Sequence, residues 1–236
     1  MEELSTIQKV AVMAVPLVFA IVFHEVAHGW VAHRLGDPTA KMMGRLTLNP
    51  ISHIDLIGTI IMPLLLFFGT QGQFVFGYAK PVPIDPRYFK DPKKGMALSS
   101  LAGPGVNLLM ALFFSVVLRA IFPSMKESDL NEMSGQVLFP LALMLSYGVL
   151  INVALAVLNL IPIPPLDGSR IVYWLLPPRL GDSYYRLERY GMLILMALLF
   201  LRILGSLIWP VVSFILTILL DNDILRFMIQ FPFNGK

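Results

Sequence analysis

Four long apolar runs restrict this chain more than any other feature: Val10 to Ala32, Met96 to Phe122, Val137 to Ile161 and Tyr190 to Leu220. Each reaches the roughly 20 residues a helix needs to cross a bilayer. In lipid, where no water is available to the backbone, only helices and closed barrels satisfy every N–H and C=O. Composition agrees: 56% of residues are hydrophobic and only 14% charged, with a mean hydropathy of +0.73, against about 25% charged in soluble domains. The expected fold class is therefore an all-α polytopic membrane protein, a bundle of about 4–6 transmembrane helices. No repeat or Ser/Gly-rich linker divides residues 1–236, so one domain is expected.

The first run ends at Gly36-Asp37-Pro38, a helix-stopping sequence. It begins with Glu2 and Glu3 rather than a basic n-region, so it reads as a retained span and not a cleaved leader. The last run reads either as one tilted helix or as a hairpin broken near Arg202 to Gly205. Ile54 to Phe68 carries Asp55, Gly58 and Pro63 and is short, which favours a segment that dips in and returns; a six-span arrangement is the alternative. "GQFVFGYAKPVPI", Gly72 to Ile84, alternates and is punctuated by Gly and Pro, which predicts a β-hairpin or edge strand around 72–84.

Charge orients this arrangement. With a re-entrant 54–68, residues 29–95 and 166–190 share one side with 8 and 4 Lys/Arg, twelve together, against 4 in the N-terminus, 123–135 and the C-terminus. Positive charge marks the cytoplasmic side, so the expected location is the cell membrane, multi-pass, with the N-terminus outside. The net charge of +3 fits basic loops beside a bilayer, and no basic stripe interleaved with aromatics indicates a nucleic-acid partner. The absence of cysteine excludes disulfides, thiolate ligands and cysteine nucleophiles.

Within the first apolar run stands "FHEVAHGW", with His24, Glu25 and His28. Ionisable groups in such a segment are costly and by default mark function. Four residues apart on a helix, His24 and His28 leave one face about a turn apart, with Glu25 beside them. This is the H-E-x-x-H arrangement, in which two imidazoles hold Zn²⁺ and the glutamate acts as general base. The plain reading, two histidines packing between helices, leaves their desolvation uncompensated. A catalytic zinc needs a third protein ligand. The metzincin continuation fails, because Val31 and Arg34 stand where glycine and histidine are required, and the next glutamate after Glu25 is Glu127. Asp167 in "NLIPIPPLDGSR", Asn159 to Arg170, is a candidate because prolines open the backbone at the membrane end that His28 occupies. The competing reading makes Asp167 a helix cap in an exit turn. Asp37, Asp55, His33 and His53 also compete as ligands, although a capped helix start at Ser52 suits His53 and Asp55 better.

HEVAH, "LAGPGVN" (Leu101 to Asn107) and N-x-x-P-x-x-P-L-D-G in a later span together resemble the site-2 protease family of intramembrane zinc metalloproteases, peptidase family M50. The likeness covers Phe23 to Arg170. "GRLTLNPISHIDLIGT" (Gly44 to Thr59) is similar to its compact prokaryotic branch, and neither the 122–137 connection nor the chain after Leu220 has room for the PDZ or CBS domain of some relatives. The resemblance implies one Zn²⁺ held by His24, His28 and Asp167, Glu25 as the catalytic glutamate, a transmembrane protein substrate within the lipid bilayer, and an active site towards the cytoplasmic side. Asn107, Asn159, Pro162 and Pro164 are then candidate substrate contacts: the asparagines as backbone or oxyanion donors, the prolines as exposed backbone. Helix–helix bonding is the plainer use of Asn107, and close helix packing that of Gly103 and Gly105. Residues 73–84 are a candidate for receiving an unwound substrate by strand addition. The alternative function is a membrane metal transporter or sensor. It calls for ligands along several spans, whereas the four histidines all fall between 24 and 53.

Overall fold

The computed structural model describes residues 6–69, 77–127 and 133–230. Its core is three long helices: α1 (Thr6–Arg34), α4 (Pro92–Glu127) and α5 (Met133–Asn159), each with a stretch long and apolar enough to cross a membrane. They make the most extensive pairwise contacts in the molecule. Where they meet α9 (Ile203–Leu219), Val12, Ala111, Leu118, Val149, Val153, Val212 and Leu216 are buried together, while Phe113, Val116 and Phe214 face outward, as lipid-facing surfaces do.

Helix α1 stops as its sequence requires. Gly36 takes φ +112°, the Gly36 N–H donates to His33 O and the Asp37 N–H to Ala32 O, a Schellman ending in which a left-handed glycine lets the last carbonyls find donors. Arg34 stacks over Trp30 at 5.0 Å, keeping its charge at the helix end while its stem lies on the indole. The chain continues through the short α2 (Thr39–Met42), a 3₁₀ turn at Pro50–His53, and a π-helical turn Leu56–Ile61 that runs into α3 (Met62–Gly69). The cap expected at Ser52 lies elsewhere: Asn49 accepts from the Ile51 N–H, and Asp55 accepts from the Ile57 and Gly58 N–H groups. At 1.5 Å per residue, Leu56–Gly69 extends about 21 Å, short of the roughly 30 Å hydrocarbon layer, which weighs against a six-span arrangement.

The hairpin expected at 72–84 lies partly outside the described residues. From 77 to 85 the chain forms neither helix nor strand. Its inward groups bond irregular partners instead: the Tyr78 N–H donates to Gly58 O, the Lys80 N–H to His53 O, and Lys80 O accepts from Arg45 Nη2. Alternation explains why positions 78 and 80 turn to the same side.

After α5, an irregular proline segment leads into α6 (Asp167–Leu175), α7 (Pro178–Tyr185) and α8 (Glu188–Phe200). The last apolar run is broken, as one of its two readings had it: α8 and α9 meet at 78°. The hinge is Arg202, a non-glycine at φ 59°. The described residues thus hold three helices long and apolar enough to cross a membrane, or four if the bent pair is one span. Finally α10 (Asn222–Gln230) lays Ile224 and Phe227 on the core, with the Phe227 ring 5.6 Å from Phe122 and 5.7 Å from Phe139.

Candidate metal centre

The i, i+4 spacing on α1 stacks the His24 and His28 rings edge-on, centroids 4.5 Å apart. Both are 8% exposed. Each ring uses Nδ1 for a bond away from the other. His28 Nδ1 lies 2.7 Å from Ser99 O, a carbonyl that can only accept, and His24 Nδ1 lies 2.6 Å from Asn107 Oδ1. Both Nδ1 atoms therefore carry the proton, and both Nε2 atoms converge, 2.9 Å apart. Asp167 Oδ2 completes the triangle at 3.2 Å from His24 Nε2 and 3.3 Å from His28 Nε2. That oxygen is buried and has no hydrogen-bond partner.

Three acceptor-type atoms facing one another without a donor are an electrostatic demand for a cation. The dimensions suit zinc: two ligands at ~2.0–2.1 Å and a tetrahedral angle stand about 3.3 Å apart. Both separations to Asp167 match, and the His–His separation is a few tenths shorter. The donor set of two imidazoles and a carboxylate is likewise one that zinc takes.

α4 supplies the floor of the site. A side chain at Gly103 would place its Cβ 2.5 Å from His28 Cε1 and Nε2 and 2.6 Å from His24 Cε1, so the close approach read for this glycine is to the imidazoles themselves. Gly105 has open space where its Cβ would be. Asn107 is fully buried, and its Nδ2 donates to Ala20 O at 3.1 Å and to Asn152 Oδ1 at 2.8 Å. All three of its polar bonds are thus internal, which supports helix bonding and histidine orientation rather than substrate contact.

Asp167 reaches the histidines because the proline segment ends the α5 span and restarts the chain as α6. The cap of α6 is Leu166, with no side-chain cap bond, so the alternative of Asp167 as a capping residue is not what its side chain does. The loop is fixed from outside. Tyr184 Oη donates to Pro162 O at 2.8 Å, Pro164 O lies against Gly191, where a Cβ would come within 2.3 Å, and Gly168 is similarly tight on Leu160 O. Arg170 pairs with Glu188 through both guanidinium nitrogens, at 2.5 and 3.1 Å. The Pro162 and Pro164 carbonyls thus meet α7 and α8 of the protein itself. Asn159 is half-buried and its Nδ2 donates to Leu155 O at 3.0 Å.

Glu25 is half-buried beside the histidines, and its Oε2 accepts the Val82 N–H at 2.7 Å. In Pro81-Val82-Pro83 that is the one N–H available, since proline has none. Three of the four competing ligands are engaged elsewhere, while His33 Nδ1 is buried without a hydrogen-bond partner and lies outside the metal group. Asp37 accepts from Thr39 and the Asp85 N–H, His53 Nε2 bonds Thr47 O at 2.9 Å, and Asp55 caps the next turn. Among the described residues, His24, His28 and Asp167 form the group of at least three His, Cys, Asp or Glu with metal-binding spacing. Sequence reasoning missed Ser99, Val82 and Asn152. The first two act through backbone atoms, which carry no residue-type signal, whereas Asn152 was visible as an amide in an apolar run.

A family model described as peptidase family M50 matches residues 12–202. The chain is 38% identical over 204 residues to YwhC of Bacillus subtilis, a protein named as a candidate zinc metalloprotease, covering 85% of each chain. It is 28% identical over 188 residues to Rip2 of Mycolicibacterium smegmatis, with 76% of this chain and 63% of that one covered. Against Rip2 of Mycobacterium tuberculosis the identity is 29% over 167 residues, or 71% of this chain and 56% of the relative. Both Rip2 proteins are also named as candidate zinc metalloproteases. No solved structure matches.

Proposed function

Because the chain belongs to peptidase family M50 and is a metalloendopeptidase of the membrane, we propose that it cuts transmembrane segments of other membrane proteins at a zinc held by His24, His28 and Asp167. The observation that carries this reading is the convergence of His24 Nε2, His28 Nε2 and the orphaned Asp167 Oδ2 inside a membrane helix bundle, with Glu25 alongside. When bound, zinc supplies a Lewis acid that polarises the scissile carbonyl and makes water a nucleophile near neutral pH. Glu25 takes the proton from the attacking water and later passes it to the leaving amine. The Val82 N–H holds one oxygen of that carboxylate and fixes its orientation. Asn107 orients His24, and Asn159 is a candidate contact for the substrate backbone.

A helical substrate hides its amides and must unwind before cleavage. Addition to the 77–84 chain would use its outer edge, because the inner groups of Tyr78, Lys80 and Val82 are taken. Metal transport or sensing would need further ligand groups along the helices, and among the described residues none has the spacing.

Purified protein is expected to hold about one zinc per chain, to cleave a transmembrane substrate in detergent or liposomes, and to lose both zinc and cleavage on chelation. Cleavage that persists after complete removal of the metal would end this reading.

The site is proposed to open towards the cytoplasm, on the charge excess of twelve against four across the loops. Single cysteines introduced at Lys94 and Ser128 report this cleanly in a chain that has none. An impermeant thiol reagent added to intact cells is expected to label Ser128→Cys but not Lys94→Cys; labelling of both would overturn the topology.

A further inference from the structure

The polar groups buried between α1, α4 and α5 form a chain with a direction. It starts at Gly148 O, a backbone carbonyl that can only accept. Asn152 Nδ2 donates to it at 2.8 Å, and this fixes which end of the Asn152 amide is which: Oδ1 must face the other way. There it accepts from Asn107 Nδ2 at 2.8 Å, and the same Nδ2 donates to a second obligate acceptor, Ala20 O, at 3.1 Å. Both amide hydrogens of Asn107 are thereby spent, its Oδ1 is left facing His24 Nδ1 at 2.6 Å, and the imidazole must bring the proton. Asn107 and Asn152 are both fully buried, so water cannot substitute for any member.

We infer that Asn152, which touches neither the metal triangle nor Glu25, is a positioning residue that sets the tautomer of His24 through Asn107, keeping the proton on Nδ1 and the Nε2 lone pair free for the metal. A neutral imidazole protonated on Nε2 cannot bind through that atom. Without an acceptor at position 152, one of the two bonds that orient Asn107 is lost. Only the bond to Ala20 O then opposes a turn of the amide, and a turned amide presents Nδ2 to His24, which selects the non-binding tautomer. Residues that orient metal-bound histidines typically contribute ~10–100-fold to metal affinity. The inference rests on the zinc reading above, and the experiment separates the two.

The chain has four histidines, so ¹⁵N-histidine labelling of the full-length protein gives a spectrum simple enough to report each ring's tautomer. Metal-free wild-type protein is expected to show His24 with the proton on Nδ1. The opposite tautomer would overturn the inference without any variant, and whether or not the wild type binds zinc. In Asn152→Leu, His24 should shift towards the Nε2–H form and zinc affinity, measured by competition with a chelating dye, should fall ~10–100-fold. Asn152→Asp keeps an oxygen facing Asn107 and should retain the wild-type tautomer and affinity within about threefold, since that acceptor is what the effect depends on. An unchanged His24 signal and affinity in Asn152→Leu would overturn the inference. So would equal losses of affinity in both variants with an unshifted tautomer, the signature of a packing role. Absence of zinc binding by wild-type protein would instead end the zinc reading.

Discussion

Glu25→Gln is expected to keep its zinc and lose its activity. The substitution preserves the size of the side chain and its place on α1, and the amide oxygen can still accept the Val82 N–H that Glu25 Oε2 accepts at 2.7 Å. What is lost is the ability to take a proton from water, so turnover should fall by at least the ~10²–10⁴-fold that general acid–base catalysis contributes. Zinc content measured on the same preparation should remain at the wild-type value. Near wild-type cleavage by a zinc-loaded Glu25→Gln protein would remove Glu25 from the mechanism and would point to a different base.

The second large effect is expected at Asp167. Its Oδ2 lies within 3.3 Å of both imidazole Nε2 atoms, so Asp167→Ala leaves two ligands where a catalytic site needs three. Zinc affinity should fall by more than the ~10–100-fold seen when only an orienting partner is lost, and cleavage should disappear with the metal. Asp167→Asn tests the charge separately, because it retains one carbonyl oxygen of similar reach. It should bind zinc more weakly than wild type but better than Asp167→Ala. Undiminished zinc in Asp167→Ala would move the third ligand elsewhere.

The two halves of the site differ in how far the sequence exposed them. His24 and His28 were legible from spacing alone, because a helix converts i, i+4 into a shared face and lipid makes a polar face there expensive. Asp167 was not, since it stands 139 positions after His28 and hydrophobic pattern carries no measure of depth. It came from resemblance, with other carboxylates still competing on physical grounds. Asn107 was visible as a buried amide, but its direction depends on Asn152 and Ala20 O, which only the packed helices bring together. In the fold, the broken last span was one of two readings. The break falls at Arg202 rather than at Gly205, a glycine that stands in open space. The alternation in 72–84 suggested a hairpin or edge strand, but the described part, 77–84, forms no strand and its bonds go to turns and side chains, a choice that period-two patterning cannot reveal. The short α10 escaped notice because it is only nine residues long, although Ile224, Leu225, Phe227 and Met228 meet the core.

Gly103 carries a consequence for how the protein assembles. The two imidazoles occupy the space where any other residue at 103 would put its side chain, so α1 lies this closely on α4 only with a glycine at that position. A newly inserted chain whose helices have not yet docked carries both histidines on one face of α1 but lacks Asp167 and the α4 groups that orient the rings.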